Sequence, residues 1–132
     1  MLAAWSLFVW VGRLRNIAAD DLLQGSDRLI RIVLSGTFVA LALIVVVGLL
    51  VNRKQATLPT WLSVTATSLA VYGIVTWVIR GIDITFGDHS AAFKVVHAVL
   101  AVVTISLSVL ALRFLRSVNH SWRKPSDARI SA

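Results

Sequence analysis

Few side chains in this sequence can do chemistry. Its acids are six aspartates, and it has neither glutamate nor cysteine. Disulfides, thiolate metal sites and a cysteine nucleophile are therefore absent. No acid lies inside an apolar run, where a proton-coupled exporter needs a carboxylate. No glycine-rich phosphate loop, metal-binding motif or nucleophile elbow is present. Neither a catalytic residue nor a cofactor is expected.

Three sets of residues remain. The first is His97, set among apolar neighbours. It could be a haem ligand, a proton carrier or a pH sensor. Bis-histidine haem needs a second histidine at similar depth, and His89 and His120 lie outside the apolar runs. The plainer reading, an interfacial histidine bonded to loop backbone or an aspartate, is preferred. The second set is Arg13, Arg31 and Arg80 with Asp20, Asp21, Asp83 and Asp88. Its structural reading, ion pairs and anchors at the membrane interface, is preferred. Its functional reading is a site for a lipid phosphate, which arginine grips bidentately; Arg13, Arg31, Arg80, His97, Asp21 and Asp88 are the candidates. The third set is a polar stripe: Thr65, Ser68, Tyr72 and Thr76, then Thr104 and Ser108 on a second helix. It could line a solute path. Ordinary packing is preferred, because Ser and Thr bond their own backbone or a neighbouring helix in lipid.

Apolar helices must position these groups. Residues 32–51 hold twenty residues without a charge, the length that crosses the bilayer hydrocarbon. Residues 61–79 form a further uncharged run, bracketed by Trp61 and Trp77 as in an aromatic belt. Pro59 marks its start and Arg80 its end. Residues 95–112 make another span, closed by Arg113 and Arg116. Residues 81–93 read as the loop before it, with Asp88 or Ser90 as the helix cap. The first apolar run, 1–12, is short and has its charges after it; a secretory signal has them before. It reads as a helix through about Ala18 with Arg13 and Arg15 snorkelling to the headgroups. The whole chain is 58% hydrophobic and 14% charged. Its mean hydropathy is +0.83. The expected fold is an all-α membrane protein: one four-helix transmembrane domain over 1–116 and a polar, basic tail over 117–132.

The sequence also overlays on itself. Residues 2–21 lie over 69–88, with Leu2/Leu69, Ala3/Ala70, Trp10/Trp77, Val11/Val78, Arg13/Arg80, Ile17/Ile84 and Asp21/Asp88 identical. A one-residue shift then sets 28–34 over 94–100, with His97 opposite Arg31. Two tandem helical hairpins, 1–54 and 61–116, are expected, related by a pseudo-twofold along the membrane normal. The overlay leaves residues 61–68 without a counterpart before Leu2, so the first helix is short. Either it is a short span or translation starts upstream of Met1; intact-mass measurement of the native protein separates the two.

Trp5, Ser6, Trp10, Leu14, Asn16, Ile17, Ala19, Asp20 and Asp21 match the first half of a W-S-x-x-x-W-x-x-x-L-K-N-I-x-A-D-D pattern. Ala92, Phe93, Val96, His97, Leu100 and Val103 match its second half, with Arg15 and Thr104 replacing Lys and Ser. The chain thus resembles a family of small actinobacterial integral membrane proteins with two helices, here in diverged tandem copy. The resemblance implies a fold and a lineage and no particular reaction.

The net charge is +7, from ten arginines and three lysines against the six aspartates. Because the basic residues flank apolar spans, they point to topology and anionic headgroups rather than nucleic acid. Arg53, Lys54, Arg113, Arg116, Arg123, Lys124 and Arg129 outnumber by one the basic residues of the opposite side, and both termini are expected in the cytoplasm, on the plasma membrane. The leading functional expectation is a non-catalytic accessory or scaffolding subunit that packs against larger membrane proteins or itself. The alternative is a binder or transporter of a lipid or small solute, using the polar faces and the arginines.

Overall fold

The computed structural model describes residues 1–22, 24–55 and 57–121, with side chains through Val118. Arg123, Lys124, Asp127 and Arg129 lie outside the described residues, as does the side chain of His120. Four helices follow in order: α1 Leu2–Ala18, α2 Gly25–Val51, α3 Thr60–Phe86 and α4 Ala91–Ser121.

The helix ends follow from local chemistry. The α1–α2 connection turns on Asp20, whose Oδ1 accepts the Leu22 N–H at 3.1 Å. Gly25 then takes φ +65°, which costs a residue without Cβ nothing. Asp27 sits in the first turn of α2, where the helix dipole favours a negative charge. Pro59 precedes α3, and its carbonyl accepts the N–H groups of Leu62 and Ser63. Between the two candidate caps of α4 it is Ser90 that serves: its Oγ accepts the Phe93 N–H at 3.4 Å.

The loop expected over 81–93 shrinks to 87–90, because α3 continues past Arg80 to Phe86 and α4 begins at Ala91. A charge ends an apolar span but does not break helical hydrogen bonding. The helix stops at Gly87, whose N–H bonds the Asp83 carbonyl at 2.8 Å. For the same reason α2 begins seven residues before its uncharged run, and α4 extends through 117–121 of the expected tail.

Three helices, α2, α3 and α4, are long and apolar enough to cross a membrane. At 17 residues α1 rises only about 25 Å, slightly less than the hydrocarbon thickness. The outward faces carry Val47, Leu50, Val71, Val75, Val99 and Val102, all exposed, as suits a lipid surround. The bundle is closed by α1 packing on α2, α3 on α4, and α2 on α3, with α1 meeting α4 over the thinnest of the four interfaces.

Aromatic rings fill the middle. Trp10 lies face to face on Phe38, with centroids 4.0 Å apart, and Phe38 contacts Tyr72 at 4.4 Å. Beside them Gly73 lets α4 come close: a Cβ there would lie 3.2 Å from Ser108 Oγ and 4.0 Å from Phe38 Cε1. The α1–α4 side is tied by Trp5 Nε1 donating to Thr104 Oγ1 at 2.9 Å. Trp61 is 49% exposed, as an interfacial ring should be, but Trp77 is only 5% exposed. Trp77 is thus a bundle residue rather than half of an aromatic belt. Both the start of α1 and the end of α4 face one apolar cavity, lined among others by Met1, Phe114 and Leu115. The two termini of the bundle therefore share an end.

Candidate functional site

The polar groups gather at the opposite end. Arg13 and Asn16 come from the last turns of α1, Arg31 from the second turn of α2, and Arg80 and Asp83 from the last turns of α3. His97 comes from the second turn of α4, and His89 from the short loop before it. These seven residues, with Asp20, line one cleft of about 360 Å³. A side branch adds Asp27, Ile30 and Leu34 to the same three arginines. A third space runs from the cleft along the bundle, between α1 and the α3–α4 pair; Phe8, Val9, Gly12, Thr76, Trp77 and Leu100 line it. Arg13 and Arg80 border all three.

The ion pairs expected between these arginines and the aspartates are not formed. Among the described residues no arginine of the cleft comes within 4.0 Å of a carboxylate oxygen. Arg13 instead stands over the ring of Trp10, its Cζ 5.7 Å from the centroid, a cation–π arrangement. Its Nε is enclosed and has no hydrogen-bond partner, and Trp77 Nε1 is in the same condition. Buried N–H groups are almost always paired, because leaving one unpaired costs about 1–3 kcal/mol. Two such donors border the same connected space. Each arginine sits on a different helix, and Asp21 and Asp88 are exposed and outside the cleft. The aspartates that do line it are Asp20 and Asp83.

His97 donates Nδ1–H to the Phe93 carbonyl one turn earlier, at 2.9 Å, since a carbonyl can only accept. The plainer reading of His97 expected loop backbone or an aspartate; the acceptor is its own helix. Its ring stacks on Phe93 with centroids 3.9 Å apart, and the His89 ring meets Phe93 in a tilted contact at 4.7 Å. Among the described residues no three His, Cys, Asp or Glu side chains gather as metal ligands.

The polar stripe does not line one path. Thr65 Oγ1 donates to the Trp61 carbonyl and Thr104 Oγ1 to the Leu100 carbonyl. Ser68 is exposed, Tyr72 belongs to the aromatic stack, and Ser108 is fully buried. Thr76 alone among the six lines the crevice described here.

Four of the six headgroup candidates thus meet in one cleft: Arg13, Arg31, Arg80 and His97. Asn16 and Trp77 were not among the sequence candidates, although a signal existed. Each lies three residues from an arginine, Arg13 or Arg80, and so on the same helix face. The arrangement offers three forked guanidinium donors, a carboxamide and two imidazoles against two carboxylates, which suits an oxyanion of phosphate or carboxylate type. No family model, curated protein or solved structure matches the chain significantly.

Proposed function

We propose that this is a multi-pass integral membrane protein whose arginine cleft binds an oxyanion group. The observation that carries the reading is the enclosed, unpaired Nε of Arg13 in a cleft shared with Arg31 and Arg80, none of them ion-paired. An anionic oxygen would supply the missing acceptor and offset the clustered positive charge. Titration of the purified protein with pyrophosphate, followed by calorimetry, tests it. Arg13→Gln and Arg80→Gln should each weaken binding about tenfold, the loss of one charge-assisted hydrogen bond. Equal affinity in the double variant and the wild type would refute the reading.

The bundle is read as two tandem hairpins from a duplication. Two observations support this. The matched residues Leu2/Leu69, Ala3/Ala70, Trp10/Trp77 and Ile17/Ile84 are all buried. The cross-hairpin contacts also exchange as a pseudo-twofold requires: Tyr72 on Phe38 between α3 and α2 corresponds to Trp5 on Thr104 between α1 and α4. Four spans then place Ser26, at the start of α2, and Ser90, in the 87–90 loop, on one side and Gln55 on the other. The chain has no cysteine of its own, so single cysteines at these positions can be labelled cleanly with a membrane-impermeant reagent. With both termini cytoplasmic, Ser26→Cys and Ser90→Cys label in intact cells and Gln55→Cys does not. Opposite labelling of the first two would exclude four spans.

The accessory-subunit reading keeps one supporting observation. A Cβ at Gly36 would meet nothing within 4 Å, and Ala40, one turn on, is exposed, so this small-residue face is not used inside the bundle. Native mass spectrometry after mild-detergent pulldown tests it: a stoichiometric larger protein supports a subunit, and a lone chain or homodimer excludes one.

A further inference from the structure

The crevice beside the arginine cleft defines what kind of anion fits. Resting on the oxyanion reading above, we infer that the ligand is an anionic membrane phospholipid that enters sideways between α1 and α4. Its phosphate sits on Arg13 and Arg80, and an acyl chain follows the crevice past Gly12.

Four observations support this. The polar cleft and the apolar crevice are one space, because Arg13, Asn16, Arg80 and His97 border both. A free inorganic anion would fill only the first part. The crevice opens where the bundle is thinnest, along the α1–α4 interface. The Trp5–Thr104 hydrogen bond closes that interface further along α1, so the opening lies between this bond and the arginines. Its rim is apolar and faces the lipid: Phe8 is 74% exposed. Gly12 stands at the same rim, and apart from its chain neighbours and the backbone of its own helix a Cβ there would meet nothing within 4 Å, so the mouth is open.

The fourth observation is chemical. Trp77 is 5% exposed, lines the crevice, and has an unpaired indole N–H. It lies one helical turn below Arg80, about 4.5 Å along the axis. In a phospholipid the ester carbonyls follow the phosphate by a comparable distance, with the acyl chains beyond them. Phosphate at Arg80 therefore brings a carbonyl oxygen to the level of Trp77 Nε1, and hydrocarbon to Phe8, Val9 and Leu100. The order of chemistry along the space, cation then hydrogen-bond donor then apolar wall, is the order of groups along the lipid.

Native mass spectrometry in detergent doped with phosphatidylglycerol or with phosphatidylcholine, alongside calorimetry with water-soluble glycerol 3-phosphate, tests this. The wild type should retain one phosphatidylglycerol in preference to phosphatidylcholine by about tenfold. Gly12→Leu fills the mouth with a good helix former and leaves every arginine in the sequence. It should lower phosphatidylglycerol retention about tenfold and leave glycerol 3-phosphate binding unchanged. Trp77→Phe, which keeps a ring and removes the N–H, should also lower retention. Glycerol 3-phosphate binding without lipid retention, or unchanged retention in both variants, overturns the lipid and leaves the oxyanion reading standing. Binding of neither probe by the wild type overturns both.

Discussion

Phe38 is the residue whose loss should cost the bundle most, and the size of that cost depends on lipid being the solvent. Its side chain is 0% exposed and lies between Trp10 and Tyr72. In a water-soluble core Phe→Ala costs about 3–5 kcal/mol. Of that, roughly 1.5–3 kcal/mol is transfer of the ring out of water. A membrane chain that comes apart within the bilayer leaves its rings in lipid, so that part vanishes. What remains is the cavity and the lost ring contacts, each aromatic pair worth about 0.5–1.5 kcal/mol. We therefore expect Phe38→Ala to destabilise by about 2 kcal/mol. Reversible unfolding in mixed micelles of rising SDS fraction measures it. The control is Phe8→Ala: that ring is 74% exposed. It already contacts lipid, and its removal should shift the transition by less than about 0.5 kcal/mol. Equal shifts for the two variants would refute the reasoning, because burial would then count for nothing.

Four further outcomes are expected. A double-mutant cycle of Trp5→Phe and Thr104→Val should return a coupling of about 0.6 kcal/mol, the average for hydrogen bonds between membrane helices, and no more than about 1.7 kcal/mol; zero coupling would remove the α1–α4 tie. Gly48→Ala sets a methyl 2.8 Å from Leu62 Cδ1, and Leu62 is buried and cannot swing away, so about 1–3 kcal/mol should be lost in the same SDS titration. Gly73→Ala meets the Ser108 hydroxyl at 3.2 Å, which can rotate, and should cost less than Gly48→Ala; the reverse order would contradict the packing. Gly36→Ile should leave SDS stability within about 0.5 kcal/mol of wild type, and a loss of any co-purifying protein in that variant would locate the partner on α2.

The apolar spans were legible because a run without charge has one good solvent. That Arg13, Arg31 and Arg80 share an end also followed from counting helices. Their ion pairs did not follow, because pairing depends on where each long stem lies. Asp20 and Asp21 are adjacent in sequence, yet one lines the cleft and the other is exposed. Helix ends were misread at 81–86, where charge and Gly81 suggested a loop although nothing there stops an α-helix. Trp77 fits a membrane interface and a bundle interior equally well by composition, and only the neighbours of α3 decide between them. The periodicity placed Thr104 and Ser108 on one face of α4 correctly, but not what that face meets: the indole of Trp5 and the bare backbone of Gly73.

The tryptophans have a spectroscopic consequence. Trp10 is clamped flat on Phe38, Trp5 donates across helices, Trp61 is half exposed, and Trp77 faces the crevice. A rigid stacked indole gives strong near-ultraviolet dichroism, and that signal belongs to tertiary packing, since a helix alone does not generate it. Near-ultraviolet dichroism should therefore report the seating of Trp10, and emission differences between wild type and Trp77→Phe should report what occupies the crevice. Unlabelled protein can show separately whether the bundle is closed and whether its side opening is filled.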